Sequence, residues 1–315
     1  MQSDKKELGQ LPDFLVVGAA RSGTTALYSL LKNNPQIFMP REKEPMFFCC
    51  WNQSDYFQFT SENSQVKTDF IIKNLEEYKQ LFKKARKNQI LGEGSTWYLY
   101  AHQTVIQNIK RCYGDDFDSL KIIILLRNPI QRAWSHYWTK HAQGYEFLPF
   151  LDSIEQKNIL DRLKQRYTPS YDYIGFGKYY RQVKSFLHHF SNVKVILFEE
   201  FINSSEEKTN EIFRFLGARE IKNVHTKLFN TGGLPKNKAA SLINKMILKP
   251  NKWRSYFKHL LPFAVRRDIR YYLGEKIFSK PELPIEYKKI LTAEYEEDIQ
   301  KLAGLIKKDL SHWMN

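Results

Sequence analysis

The stretch Phe14-Leu15-Val16-Val17-Gly18-Ala19-Ala20-Arg21-Ser22-Gly23-Thr24-Thr25-Ala26-Leu27-Tyr28 decides how this chain is read. Phe14 to Val17 is a short apolar run containing β-branched residues, the pattern of a buried strand. Gly18 to Gly23 is a turn of small residues around Arg21, and Thr24-Thr25 opens a helical pattern carried on by Ala26, Leu27, Leu30 and Leu31. Strand, glycine turn and helix N-terminus in this order aim free backbone N–H groups and the positive end of the helix dipole at one point. The stretch therefore predicts an anion site. The implied fold is α/β, a P-loop-like parallel sheet flanked by helices.

A second stretch repeats that grammar about a hundred residues on. Lys121-Ile-Ile-Ile-Leu-Leu126 places five apolar residues in succession, three of them β-branched, which suits a parallel strand buried on both faces. Arg127-Asn-Pro129 ends it at a strand C-terminus, where open α/β sheets bind their ligands. A helix starting at Pro129 then runs through Ala133, Trp134, Tyr137 and Trp138, and Ser135 follows Arg127 by eight residues. Arginine offers a phosphate a planar fork, and serine a neutral donor.

The first loop nearly meets the spacing G-x-x-x-x-G-K-[ST] through Gly18 and Gly23. The lysine position, however, holds Thr24, and the cation lies inside the turn as Arg21. The loop is thus expected to hold a phosphate without hydrolysing ATP. Arg21-Ser-Gly-Thr-Thr-Ala-Leu resembles the 5′-phosphosulfate loop of the sulfotransferases that use 3′-phosphoadenosine 5′-phosphosulfate (PAPS), in the branch containing the heparan sulfate enzymes and bacterial relatives. Arg127 and Ser135 are similar to that family's 3′-phosphate motif.

The resemblance implies a set of roles. Arg21, Ser22, Gly23, Thr24 and Thr25 would hold the 5′ end of PAPS, and Arg127 and Ser135 its 3′-phosphate. Glu44-Pro-Met-Phe47-Phe48 is similar to the family's Glu-x-x-Phe-Phe segment, so Glu44 would be the general base, with Arg21 steadying the leaving phosphate. Two aromatics beside a carboxylate would shield it and restrain its rotamers. Gly92-Glu93-Gly94-Ser95 resembles an acceptor-side segment, placing Glu93 and Phe48 next to the acceptor, with a structural helix cap as the other reading of Glu93. In the heparan enzymes a lysine follows that glutamate; here Gly94 does. Lys236 and Lys238, after the flexible Asn230–Pro235 turn, would close over PAPS. The acceptor would be a hydroxyl or amine of a carbohydrate, glycolipid or small natural product, and adenosine 3′,5′-bisphosphate the product. Neither a metal nor a nucleic-acid partner is implied.

Composition agrees with such a domain. The 315 residues are enough for a full core and read as one unit, with 11–220 as the nucleotide-binding part and 221–315 as a loop and helical, basic C-terminal extension. Hydrophobic and aromatic contents of 42% and 15% exclude global disorder. Met1–Gln10 is polar and no apolar run nears the ~20 residues of a membrane span. Golgi members of the family carry such an anchor, so the expectation is a soluble, cytoplasmic, bacterial enzyme. Cys49, Cys50 and Cys112 form no C-x-x-C pair and no disulfide framework.

The net charge of +15 is uneven: 16 Lys/Arg stand against 4 Asp/Glu between Lys222 and Lys289. Such a surface suits an anionic glycan or a membrane headgroup, and equally a docking helix with a solvated basic face. Two other function classes stay open on sequence alone. One is a small-molecule kinase, which Thr24 in the lysine position disfavours; the other is a nucleic-acid or lipid binder with a degenerate nucleotide pocket.

Further along, Trp51–Asp69 reads as a loop or lid, and Leu75, Tyr78, Phe82 and Ala85 mark one helix face. Gly177-Lys-Tyr179 precedes a helix to Phe190, and Val193–Phe198 is a core strand followed by Glu199-Glu200. Ser204–Leu216 is a helix closed by Gly217. A final helix near Tyr287–Trp313 aligns Tyr295, Ile299, Leu302 and Ile306. His136 and His141 read as packing or surface residues.

Overall fold

The computed structural model describes residues 11–51, 59–61, 64–65, 71–203, 206–222, 234–235, 278–279 and 281–315. In chain order the strands are β1 (Phe14–Gly18), β2 (Ile37–Phe38), β3 (Phe59–Ser61), β4 (Ser64–Gln65), β5 (Ile90–Gly94), β6 (Lys121–Leu126), β7 (Val193–Leu197), β8 (Leu234–Pro235) and β9 (Phe278–Ser279). The helices are α1 (Thr24–Asn33), α2 (Phe47–Cys50), α3 (Leu75–Gln80), α4 (Trp97–Tyr100), α5 (His102–Tyr113), α6 (Pro129–Gln143), α7 (Phe150–Ile154), α8 (Gln156–Lys164), α9 (Tyr179–His189), α10 (Phe198–Ile202), α11 (Glu206–Leu216) and α12 (Ile285–Ile306).

Five strands form one sheet in the order β2-β5-β1-β6-β7, and every pairing in it is parallel. Successive side chains of a strand point to opposite faces. Leu15, Val17, Ile122, Ile124 and Leu126 accordingly pack on α5, α9 and α12, while Phe14, Val16, Ile123 and Leu125 pack on α1 and α11. That two-sided burial is why β1 and β6 read as unbroken apolar runs rather than alternating ones. The chain leaves β1 toward β2 on one side and comes back to β6 on the other, so a crevice opens beside the C-terminal ends of β1 and β6. Both predicted phosphate motifs lie at that end.

Several boundaries differ from the sequence reading. The expected long helix from Leu75 stops at Gln80, and Phe82 joins the core from the turn that follows. Phe198 opens α10 instead of ending β7. The last helix ends at Ile306, where Lys307 takes a left-handed conformation with φ 54°. The tail then turns back so that Trp313 is buried against Tyr179, with ring centroids 6.4 Å apart. The Trp313 carbonyl accepts a hydrogen bond from Asn128 Nδ2 at 2.9 Å, which ties the C-terminus to the second phosphate motif. The strands β3 and β4 pair within the expected lid, and β8 pairs with β9 across the ends of the basic stretch. The rest of the lid, Lys236, Lys238 and most of the basic stretch between Lys222 and Lys289 lie outside the described residues. Among the described residues no helix is long and apolar enough to cross a membrane.

Candidate active site

The loop between β1 and α1 is tight because its neighbours allow no side chain. A Cβ on Gly18 would come within 2.6 Å of Leu99 Cβ, and one on Gly23 within 2.8 Å of the Phe198 ring. Gly23 also has φ 87°, a region that residues with a Cβ rarely enter. It carries the chain straight into α1, whose first-turn amides at Thr24 and Thr25 have no partner within the helix. Arg21 takes φ 69°, and its guanidinium lies close enough to Arg127 and Arg132 to feel their charges.

Arg127, at the C-terminal end of β6, donates from Nη1 to the Arg21 carbonyl at 3.3 Å, and its guanidinium lies 4.9 Å from the centroid of the Phe198 ring. Arg132 is wholly buried one turn into α6; it donates to the Tyr173 carbonyl and, at 3.1 Å, to His136 Nδ1. Burial, then Arg127 and Arg132, push the Arg21 pKa down to about 10. Burial also lowers Arg127, although the Glu199 carboxylate partly offsets it. His136 is driven well below its usual range, first by burial and then by Arg132, Lys140 and Arg21, so the neutral ring can accept from Arg132. Arg21 Nε is buried and finds no hydrogen-bond partner among the described residues. Clustered, desolvated guanidinium groups are costly unless an anion joins them. A phosphate is the chemistry that fits this end of the sheet, so the residues present suit a phosphorylated nucleotide. Ser135 is buried two turns into α6.

Glu44 stands on the other side of the loop. Its N–H bonds the Gly94 carbonyl at 3.1 Å, which hangs the segment on the end of β5. The carboxylate accepts from the Thr96 backbone N–H at 2.7 Å and from Thr96 Oγ1 at 3.1 Å. Lys43 Nζ sits 3.2 Å from Glu44 Oε1, and the same ammonium is 3.2 Å from Thr25 Oγ1 and 3.4 Å from Thr24 Oγ1. Consecutive side chains usually diverge; here φ 64° at Glu44 swings both toward one spot. Lys43 is the residue that sequence reasoning missed. Its signal was adjacency to Glu44, and nothing in the sequence announces the turn that makes adjacency matter. Phe198, beneath both Gly23 and Arg127, was likewise read only as the end of a strand.

The aromatic shield takes a different form from the one expected. Phe47 stacks on Tyr78 at 4.2 Å and Phe48 meets Tyr98 edge-on at 5.7 Å, both without exposure, so these rings are core. The groups holding the Glu44 carboxylate are polar. Glu93 is also fully buried: it accepts from Ser95 Oγ at 2.7 Å and Tyr78 Oη at 3.3 Å. Ser95 Oγ in turn accepts from the Met46 N–H at 3.1 Å. Neither Glu93 nor Phe48 has accessible surface in this structure. They form the floor on which the Glu44 segment rests. Burial raises the Glu93 pKa to about 7, while the Ser95, Tyr98 and Tyr78 hydroxyls limit the rise. The Gly94 position gives no cation, and a Cβ there would already press on Tyr28 at 3.2 Å.

The described geometry thus joins Arg21, Gly23, Thr24, Thr25, Arg127 and Glu44 at one end of the sheet. Comparisons with known proteins give the family. The chain is 25% identical to mouse (Mus musculus) heparan sulfate glucosamine 3-O-sulfotransferase 3B1 over 229 residues, which is 72% of this chain and 51% of that protein. It is 29% identical to the membrane-associated sulfotransferase kil1 of Dictyostelium discoideum over 127 residues, 40% of this chain and 22% of that one. It therefore spans about half, or less, of the length of these curated relatives. A sulfotransferase crystal structure from Alicyclobacillus acidocaldarius superposes with a TM-score of 0.71 at 27% identity, covering 97% of this chain and all of that one. A profile of the Sulfotransferase family matches residues 12–221, a span that includes the loop, Glu44 and the β6–α6 motif. Matched over more than half its length, this chain belongs to the Sulfotransferase family.

Proposed function

We propose that this protein transfers a sulfuryl group from PAPS to a hydroxyl or amine of a carbohydrate, glycolipid or small natural product. The observation that carries the reading is the cluster of buried arginines at the C-terminal end of β6, where Arg127 donates to the Arg21 carbonyl and burial lowers the pKa of both guanidinium groups. Two anionic groups on one nucleotide match two cation sites: Arg21 with the Gly23–Thr25 amides at the 5′ end, and Arg127 with Ser135 at the 3′-phosphate. Each would supply charge-assisted hydrogen bonds where water is excluded.

In the reaction the acceptor oxygen or nitrogen forms a bond to sulfur as the bond from sulfur to the bridging oxygen of the 5′-phosphate breaks. That electron pair stays on the phosphate, and the acceptor's proton passes to Glu44. Thr96 holds Glu44 by two donors onto the carboxylate, a fixed orientation of the kind general-base catalysis needs. A carbohydrate acceptor is supported by the heparan sulfate glucosamine named for several relatives. Lys236 and Lys238 are carried here as closing residues on the resemblance alone.

Calorimetry with adenosine 3′,5′-bisphosphate and AMP, followed by PAPS-dependent transfer to a panel of glycans and small acceptors, tests the reading. Strong preference for the bisphosphate and transfer to at least one acceptor are expected. Equal affinity for both nucleotides, with no transfer, would overturn it.

A further inference from the structure

We propose that Lys43 is a catalytic residue of this site, its ammonium binding the oxygens of the sulfuryl group as that group leaves the phosphate loop for the acceptor. The inference rests on the sulfuryl-transfer reading above and adds to it a cation that none of the sequence motifs contains.

The argument starts from three contacts of one atom. Lys43 Nζ touches Thr25 Oγ1 and Thr24 Oγ1 in the phosphate loop, and Glu44 Oε1 on the acceptor side. Both arms to Thr25 and Glu44 measure 3.2 Å, so a single ammonium separates the loop from the base. A group handed from the loop to an acceptor activated by Glu44 has to cross this gap. An ammonium has three donors and no acceptor. Two of its partners here are neutral hydroxyls, which are poorer than charged oxygens. A sulfuryl oxygen entering the gap offers a better partner within the same reach, while the Thr24 and Thr25 hydroxyls, which only accept from Lys43, keep their own protons to donate to phosphate. The third donor stays on Glu44 and keeps the carboxylate facing the acceptor.

The two cations then divide the work. The Arg21 guanidinium lies in the field of Arg127 and Arg132, whereas the Lys43 ammonium lies between Thr25 and Glu44. The backbone supports a functional reason for this placement. Glu44 and Met46 both take left-handed conformations, φ 64° and 56°, and such conformations at residues with side chains persist where the surroundings demand them. The Lys43 side chain is 23% exposed, so it remains open to the gap and tolerates replacement without a hole in the core.

The test compares the parent with Lys43→Met, Lys43→Arg and Lys43→Ala, measuring adenosine 3′,5′-bisphosphate affinity by calorimetry and PAPS-dependent turnover at saturating acceptor. Lys43→Met should bind the bisphosphate within about twofold of the parent, because the product lacks the sulfuryl group. Its kcat should fall about 10- to 100-fold, the loss of one charge-assisted contact formed in the transition state. Lys43→Arg should recover part of that rate, and added methylammonium should accelerate Lys43→Ala but not the parent. Turnover of Lys43→Met within about threefold of the parent overturns the inference. So does bisphosphate affinity falling in step with kcat, which would make Lys43 a strut for the threonine loop. A parent that binds no bisphosphate and transfers nothing overturns the functional reading itself, and this inference with it.

Discussion

Glu93→Gln should remove a pH dependence from the stability of this domain. Glu93 is fully buried beneath the Glu44 segment, and burial is the main reason its pKa rises from the ordinary 4.5 to about 7. The unfolded chain ionises this carboxyl near 4.5, whereas the folded protein holds the proton until about pH 7. Below 4.5 both states carry the proton and its contribution is fully present. As pH rises through 7 the contribution is lost, because the unfolded state gains from ionising earlier. The 2.5-unit difference between those two values corresponds to about 3 kcal/mol at 1.36 kcal/mol per unit.

Glutamine has no proton to lose. Its amide can keep one acceptor for Ser95 or Tyr78, at a pH-independent cost of about 1 kcal/mol for the bond it weakens. Urea unfolding of parent and variant at several pH values between 4.5 and 8 reads the difference directly. The stability of the variant relative to the parent should climb by about 3 kcal/mol across that range. Parallel pH curves would refute the reasoning, because they would mean that Glu93 titrates alike in the folded and unfolded chain.

Three further outcomes are expected. Glu44→Gln should bind PAPS nearly as well as the parent while turnover drops ~10²–10⁴-fold; a variant that retains most of its turnover shows that another group takes the proton. Arg127→Ala should weaken adenosine 3′,5′-bisphosphate by about 1.5–3 kcal/mol and AMP much less, and equal losses by calorimetry would remove Arg127 from the 3′-phosphate. Gly23→Ala combines a φ of 87° with a Cβ 2.8 Å from the Phe198 ring. It should destabilise the domain by about 1–3 kcal/mol in thermal or urea unfolding. Adding Phe198→Leu should recover part of this loss, and no recovery would place the cost in the backbone alone.

The sheet and the phosphate loop could be read directly from the chain because their determinants are local. Phe14–Val17 and Ile122–Leu126 had to be buried on both faces, and the Gly18–Gly23 turn had to run into a helix at Thr24. That Arg127 follows the end of β6 and Ser135 lies on α6 was legible for the same reason, since the apolar run and Pro129 mark where strand ends and helix begins. The acceptor side was not legible, because its pieces come from β5, the Glu44 segment and the first turn of α1, which meet only when the sheet closes. Glu93 read as an acceptor-side residue or a helix cap; the pairing of β5 with β1 draws it inside, under Tyr78 and Ser95. Lys43 looked like one charge in the run Arg41-Glu-Lys-Glu44. The left-handed turn at Glu44, anchored to the Gly94 carbonyl, carries its ammonium to the phosphate loop. Periodicity records which face of an element is buried, but it carries no information about which distant side chain that element will meet.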